Sequence, residues 1–359
     1  MISGFNFKSK IEVDMNRINR KLTTTLLVAA TMGMTFTANA ARDTIQIAGS
    51  STVLPYSSVV AEQFGQAFPQ FKTPVVGSGG SGAGIKQFCE SVAENSLDIA
   101  NASRPMKTTE IETCKKNGVK KIQEVKIGYD GIVFAFDASK KPFNLMPSHL
   151  YAALAEKVPG KNGKLMPNPY TNWNQISKSL PNQEIVLIIP GSNHGTREVF
   201  EEKVLKTGAD AYEYFHKDNL SDTDEKAKTA IRKDGRVIEI AGDYTETLAR
   251  LASNKNAVGV FGLGFYDANR DKLKVASVKG VIPNEQTVAS GKYPVSRPLY
   301  FYVKSQHIGA VPGISEYTQF FLSEKVSGQG SQLNKAGLIA LPKAERAKVL
   351  ADFKKGKSL

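Results

Sequence analysis

Apolar residues fall along this chain in two alternating rhythms, short strand-like runs and segments with helical spacing. Thr44 to Ala48 (TIQIA) reads as a strand, and Val60, Phe64, Ala67 and Phe68 then recur at helical spacing. Thr73 to Val76 predicts a second strand, followed by Ile85, Phe88, Cys89 and Val92 on one helix face. Leu97 to Ala100 predicts a third strand, and Val125 to Phe136 (VKIGYDGIVFAF) a long extended segment. Prolines and turn dipeptides around Trp173 break the rhythm between Pro142 and Pro181. Glu184 to Ile189 (EIVLII) restarts it, and Val199 to Leu205 continues it as a helix. A charged stretch, Lys217 to Arg236, precedes a helix at Thr245 to Ser253 and a strand at Ala257 to Phe261. Tyr293 to Lys304 (YPVSRPLYFYVK) is again extended, and Ile314 to Leu322 and Lys343 to Lys354 read as helices. This alternation predicts an α/β protein whose sheet is mixed but mostly parallel and covered on both faces, since each parallel return needs a crossover.

The extended segments near 127–136 and 293–304 set off a middle block from its flanks. They predict two lobes, one discontinuous (42–126 plus 280–359) and one continuous (127–279), with a hinge between them and a ligand cleft where they face. Size agrees, because one core stops growing at about 250 to 300 residues and the chain has 359. A hydrophobic share of 41% with 23% charged residues excludes wholesale disorder.

Residues 1–40 have the layout of a removable signal peptide. Lys8, Lys10, Arg17, Arg20 and Lys21 precede a charge-free stretch from Leu22 to Ala41, and Ala38-Asn39-Ala40 has the small-x-small pattern of a cleavage site. An uncleaved anchor helix is the alternative, and Met15 is a second candidate start. Cleavage after Ala40 predicts a periplasmic protein. Without the leader's five basic and two acidic residues, the formal charge of +13 becomes +10. The basic residues are dispersed among acidic ones, without the aromatic interleaving of a nucleic-acid surface, so no nucleic-acid partner is expected. A positive field still raises the local concentration of a small anion. In an oxidising compartment Cys89 and Cys114 are read as one disulfide, the alternative being two buried thiols.

Three Ser/Gly-rich loops each lie between a predicted strand and helix: Gly49 to Thr52, Gly77 to Gly84, and Gly191 to Arg197. The first backbone N–H groups of a helix lack intrahelical partners and carry the positive end of its dipole. One such loop is ordinary helix capping; three together point to a shared oxyanion. Gly77, Gly79 and Gly82 also satisfy G-x-G-x-x-G, but no acidic residue closes a second strand at the spacing dinucleotide binding needs. A nucleophile elbow around Ser81 fails at Ala83, and there is neither a G-K-[ST] nor an H-E-x-x-H motif. Neither a metal nor a cofactor is expected. His194 falls in a candidate loop, while His149, His216 and His307 read as surface or structural. Arg104 follows a strand end and Arg197 sits in the first turn of a helix, where a cation opposes the dipole and suits a bound anion.

At these loops the chain resembles the periplasmic phosphate-binding component of bacterial high-affinity phosphate ABC transporters. The resemblance runs in order through IAGSSTVLP, VVGSGGSGAGIKQF, DIANASRP, IGYDGIVFAF, GSNHGTREVF and VGVFGLGFY, nearly all of the chain after the leader. It implies a two-lobed, type II-like periplasmic binding fold that closes on one inorganic phosphate. It further implies a monomer without catalytic activity that delivers phosphate to a membrane permease driven by a cytoplasmic ATPase. Carried over by position, it implies ligand donors at Ser51, Thr52, Ser81, Gly195 and Thr196, with His194 where the family has a serine. Two positions depart. Arg104 stands where many members have an aspartate that accepts the phosphate proton. Pro190 stands where they have an arginine six residues before the loop threonine, and Arg197 instead follows that threonine directly. Arg104 and Arg197 are expected to offset the anion's charge, and Asp130 or Asp243 to supply the acceptor that would reject sulfate. The alternatives are another tetrahedral oxyanion such as sulfate or arsenate, an exported phosphate-ester hydrolase, or an adhesin using the positive charge.

Overall fold

The computed structural model describes residues 42–192, 196–216, 220–240 and 244–359. The expected leader and its cleavage site lie outside the described residues, as do His194, Gly195 and Asp243.

Nine strands form one continuous mixed sheet. In chain order they are β1 (Gln46–Gly49), β2 (Val75–Ser78), β3 (Ile99–Ala102), β4 (Ile122–Asp137), β5 (Leu187–Pro190), β6 (Val237–Ile240), β7 (Val258–Gly262), β8 (Leu273–Val275) and β9 (Ser296–Lys304). Across the sheet the order is β2-β1-β3-β9-β4-β7-β5-β6, with β8 also paired to β4. The outer strands pair in parallel: β2 with β1, β1 with β3, β7 with β5, and β5 with β6. The middle is antiparallel, because β9 enters between β3 and β4 running against both, and β7 and β8 run against β4.

Strand β1 extends one residue, and β2 and β3 two residues each, beyond the apolar runs that predict them, taking in Gly49, Ser78 and Asn101. Hydrophobicity marks the buried part of a strand, whereas ladder bonds continue as long as a neighbour is present. The sheet thereby carries small polar residues to its carboxyl edge, where α/β proteins bind ligands.

The 16 residues of β4 serve both ends of the sheet. Residues 122–131 pair with β9, and 132–137 pair with β7 and β8. Apolar side chains gather in separate clusters around these halves. Ile47, Phe64, Ile99, Phe301 and Tyr317 pack on one face of the first half, and Ile85, Phe88, Ala100, Ile122 and Tyr302 on the other. Phe134, Trp173, Leu187, Phe200 and Phe261 belong to the cluster around the second half, which also takes in Val288, Tyr293 and Val295.

Helix α1 (Leu54–Ala67) follows β1, α2 (Ser81–Phe88) follows β2, and α3 (Thr108–Lys116) follows β3. The helical face predicted through Val92 stops at Phe88, and Val92 is exposed. A disulfide joins Cys89, just past α2, to Cys114 in α3. His307 is buried with its Nδ1 2.5 Å from Asp98 Oδ1, a structural position. Among the described residues no helix is long and apolar enough to cross a membrane.

Candidate functional site

Glycine geometry brings the first two loops together. Gly49 has φ +137°, and a Cβ there would lie 2.2 Å from the Asn101 carbonyl oxygen, so only glycine lets β1 turn beside β3. A Cβ on Gly84 would lie 2.4 Å from Gly49 Cα, so α2 rests directly on the end of β1. The Gly80 N–H donates to the Gly49 carbonyl at 2.9 Å, tying loop to loop. Ser81 is thereby buried at the first position of α2, with its Oγ 3.1 Å from Ser103 Oγ and accepting the Ser103 N–H at 3.1 Å.

A buried arginine connects these hydroxyls to the rest of the chain. Arg297 on β9 is 4% exposed, and its Nη2 donates to Thr52 Oγ1 at 2.8 Å. Asp130 on β4 sits directly opposite it in the antiparallel ladder. Three carboxylates surround the guanidinium, each beyond hydrogen-bond reach: Asp130 Oδ2 lies 3.9 Å from Nε, Glu198 Oε2 3.9 Å from Nη2, and Glu202 Oε2 3.9 Å from Nη1. Asp130 Oδ2 and Arg297 Nε are both buried without a hydrogen-bond partner among the described residues. Burial raises the Asp130 carboxyl above the usual range, against the opposing pull of Arg297 and of the Gly131 N–H.

The third loop contributes Thr196, buried and accepting a hydrogen bond from the Tyr244 hydroxyl at 3.3 Å. After it come a helical turn, Arg197–Phe200, and a π-helical stretch, Glu201–Lys206, which carry Glu198 and Glu202 toward Arg297. Ser103 Oγ donates to Glu198 Oε2 at 3.3 Å, so the loop after β3 and the loop after β5 meet. The structure thus brings together Thr52, Ser81 and the segment opening with Thr196; Ser51, beside Thr52, is partly exposed.

Arg104 and Arg197, expected to offset an anion's charge, both have carboxylate partners. Arg104 binds Glu110 of α3 through two hydrogen bonds of 2.9 and 2.7 Å, and also donates to the Pro105 carbonyl. That pairing raises its already high pKa, while burial works the other way. Arg197 donates to Glu201 at 2.7 Å, to Glu239 at 2.6 Å and to the Pro190 carbonyl at 3.0 Å. An arginine in a first helical turn that opposes the dipole is here held by acids on its own helix and on β6.

Arg297 has no place in the loop-based reading because it lies about 100 residues from the last Ser/Gly-rich loop. A signal for it exists nonetheless. Asp130 and Arg297 each interrupt an otherwise apolar extended run, and charges in strands that are buried must find each other. Among the described residues no group of His, Cys, Asp and Glu is arranged to hold a metal ion.

A family model described as the PBP superfamily domain matches residues 35–325. Protein SphX of Synechococcus elongatus is 30% identical over 311 residues, which are 85% of this chain and 80% of that protein. Phosphate-binding protein PstS of Staphylococcus haemolyticus is 28% identical over 312 residues, 86% of this chain and 84% of its own. Among solved structures, a possible phosphate binding protein from Planctomyces limnophilus is similar with a TM-score of 0.67 and 25% identity, covering 88% of this chain and 99% of that one. PstS from Borrelia burgdorferi shares the fold with a TM-score of 0.59 at 19% identity, covering 84% of this chain and all of its own.

Proposed function

The chain belongs to the PBP superfamily, and from that membership we propose that it is an extracytoplasmic solute-binding protein that captures inorganic phosphate. It works as a monomer without catalytic turnover and hands phosphate to an ABC permease driven by a cytoplasmic ATPase. Its lobes are residues 42–126 with 280–359, and residues 127–279, hinged through the two extended segments. In support stand relatives that are phosphate-binding proteins, matched over most of their length.

The observation that carries the reading is the buried Arg297 guanidinium bound to the Thr52 hydroxyl and opposite the bare oxygen of Asp130, with the Ser103 and Ser81 hydroxyls linked to it through Glu198. Hydroxyls and backbone N–H groups at Ser51, Thr52, Ser81 and Thr196 donate to the phosphate oxygens, joined by His194 and Gly195 of the third loop. Arg297 supplies the central positive charge. Arg104 and Arg197, placed in the site by the loop-based reading, have their charges offset by carboxylate partners and leave that role to Arg297. Asp130 accepts the proton that monohydrogen phosphate carries and sulfate lacks, so a sulfate oxygen would face it without a hydrogen bond.

Isothermal titration with phosphate and then sulfate tests this. One-to-one phosphate binding that sulfate does not displace is expected. Truncating one side of a buried charge pair costs about 2–5 kcal/mol, so Arg297→Ala should weaken phosphate binding by about 30-fold or more. Asp130→Asn should let sulfate compete. Equal affinity for phosphate in wild type and Arg297→Ala would remove the site as drawn.

A further inference from the structure

Glu198 occupies a peculiar position in this site. Its carboxylate reaches from the segment after β5 to the loop after β3, where Oε2 accepts a hydrogen bond from Ser103 Oγ at 3.3 Å. The same oxygen lies 3.9 Å from Arg297 Nη2. Ser103 Oγ in turn lies 3.1 Å from Ser81 Oγ at the start of α2, and Arg297 Nη2 also holds Thr52. One carboxylate oxygen therefore lies between the Ser103 hydroxyl and the guanidinium that would grip an oxyanion, and it is an anionic acceptor as a phosphate oxygen is.

The reverse assignment, a glutamate that strengthens anion binding, fails on charge. Arg297 already faces Asp130 and Glu202 at 3.9 Å, so Glu198 makes a third carboxylate around one guanidinium. A bound phosphate would add further negative charge within a few ångströms, and at such separations like charges repel by kilocalories. Glu198 is also able to leave, since its side chain is 42% exposed while that of Asp130 is 6% exposed, and of the two exposed acids, Glu198 and Glu202, it is the one that accepts from Ser103.

We infer that the Glu198 carboxylate is a built-in surrogate ligand, taking the Ser103 donor beside the Arg297 guanidinium and competing with the phosphate that displaces it. This inference rests on the phosphate reading of the site and adds its regulation. An internal competitor lowers apparent affinity by the fraction of molecules in which the donor is free, and it keeps the buried Ser103 hydroxyl satisfied until the ligand arrives. On displacement the Ser103 hydroxyl turns to the phosphate and Glu198 swings to solvent, so ligand entry breaks one link between two loops as it makes another.

Two substitutions at this exposed position separate occupancy from simple repulsion. Glu198→Gln removes the charge. Glu198→Asp keeps the charge but, one methylene shorter, cannot reach Ser103. Calorimetric titration with inorganic phosphate should show both variants binding tighter than wild type, by about tenfold if the surrogate holds the donor nine-tenths of the time. Tighter binding by Glu198→Gln alone would mean only a long-range field and would overturn the inference. Weaker or unchanged binding by both would overturn it too, by making Glu198 a ligand contact or a bystander. If wild type binds phosphate and the variants behave in either of those ways, the site stands and only the surrogate falls. If none of the three binds phosphate, the reading of the site itself is wrong and the inference goes with it.

Discussion

Gly84 and Lys304 show how much single buried positions decide, one behind the site and one away from it. Alanine at Gly84 would push a methyl to 2.4 Å from Gly49 Cα, backbone against backbone, so α2 must lift off β1. Overpacking of this kind costs about 1–3 kcal/mol, and because Ser81 rides on the same helix, Gly84→Ala should lose both melting temperature and phosphate affinity. Denaturant unfolding and titration of the one variant would check both. Lys304, fully buried on β9, donates to the Ser91 carbonyl at 2.5 Å and to Ser96 Oγ at 2.7 Å. Burial pushes its pKa down to about 8, with Asp98 opposing and Arg42 assisting. Below that pH the folded protein bears the full cost of a buried charge. As pH rises past it, the folded state sheds the proton while the unfolded chain keeps it to about pH 10.4. The stability of wild type relative to Lys304→Met should therefore rise between those values, as urea unfolding at several pH values would show. A flat difference would mean that Lys304 keeps its proton.

Among elements, α2 and α3 act as one unit. The disulfide from Cys89 to Cys114 bridges 25 residues, and Glu110 on α3 holds Arg104, whose neighbour Ser103 contacts Ser81 on α2. Closing a loop of that size restricts the unfolded chain by about 3 kcal/mol, so the Cys89→Ser/Cys114→Ser double variant should unfold at correspondingly lower denaturant. Helix α2 was legible in the spacing of Ile85, Phe88 and Cys89, and so was the loop that precedes it, whereas α3, with Cys114 its one buried residue, carries no such apolar pattern. Strand ends were less so, because Gly49, Ser78 and Asn101 belong to the ladder by virtue of their neighbours and carry no apolar mark. The paired state of Arg104 and Arg197 escaped for a similar reason. Glu110 and Glu201 lie close in sequence, but only the fold aims them, and Glu239 arrives from a separate strand.

At the scale of the whole molecule, β4 and β9 carry the proposal of a hinge. Separate apolar clusters surround the two halves of one sheet, and β4 passes through both. Two bodies joined by a few continuous strands are the arrangement in which ligand-driven closure is cheap, since bending concentrates where little core is shared. Small-angle scattering should show a smaller radius of gyration on addition of phosphate. An unchanged curve alongside calorimetric binding would remove the hinge while leaving the site.

Sequence alone determined the α/β class, the three anion-suited loops and the family likeness, because periodicity and glycine-rich turns are local properties written in consecutive residues. Tertiary structure alone decided which cation is buried and which acids surround it. Asp130 and Arg297 meet only because β9 returns antiparallel beside β4, and Glu198 reaches Ser103 only because the loops after β3 and β5 are folded against each other. Such charges are partnered across long stretches of chain, and their energies depend on distance and burial, which no run of neighbouring residues records.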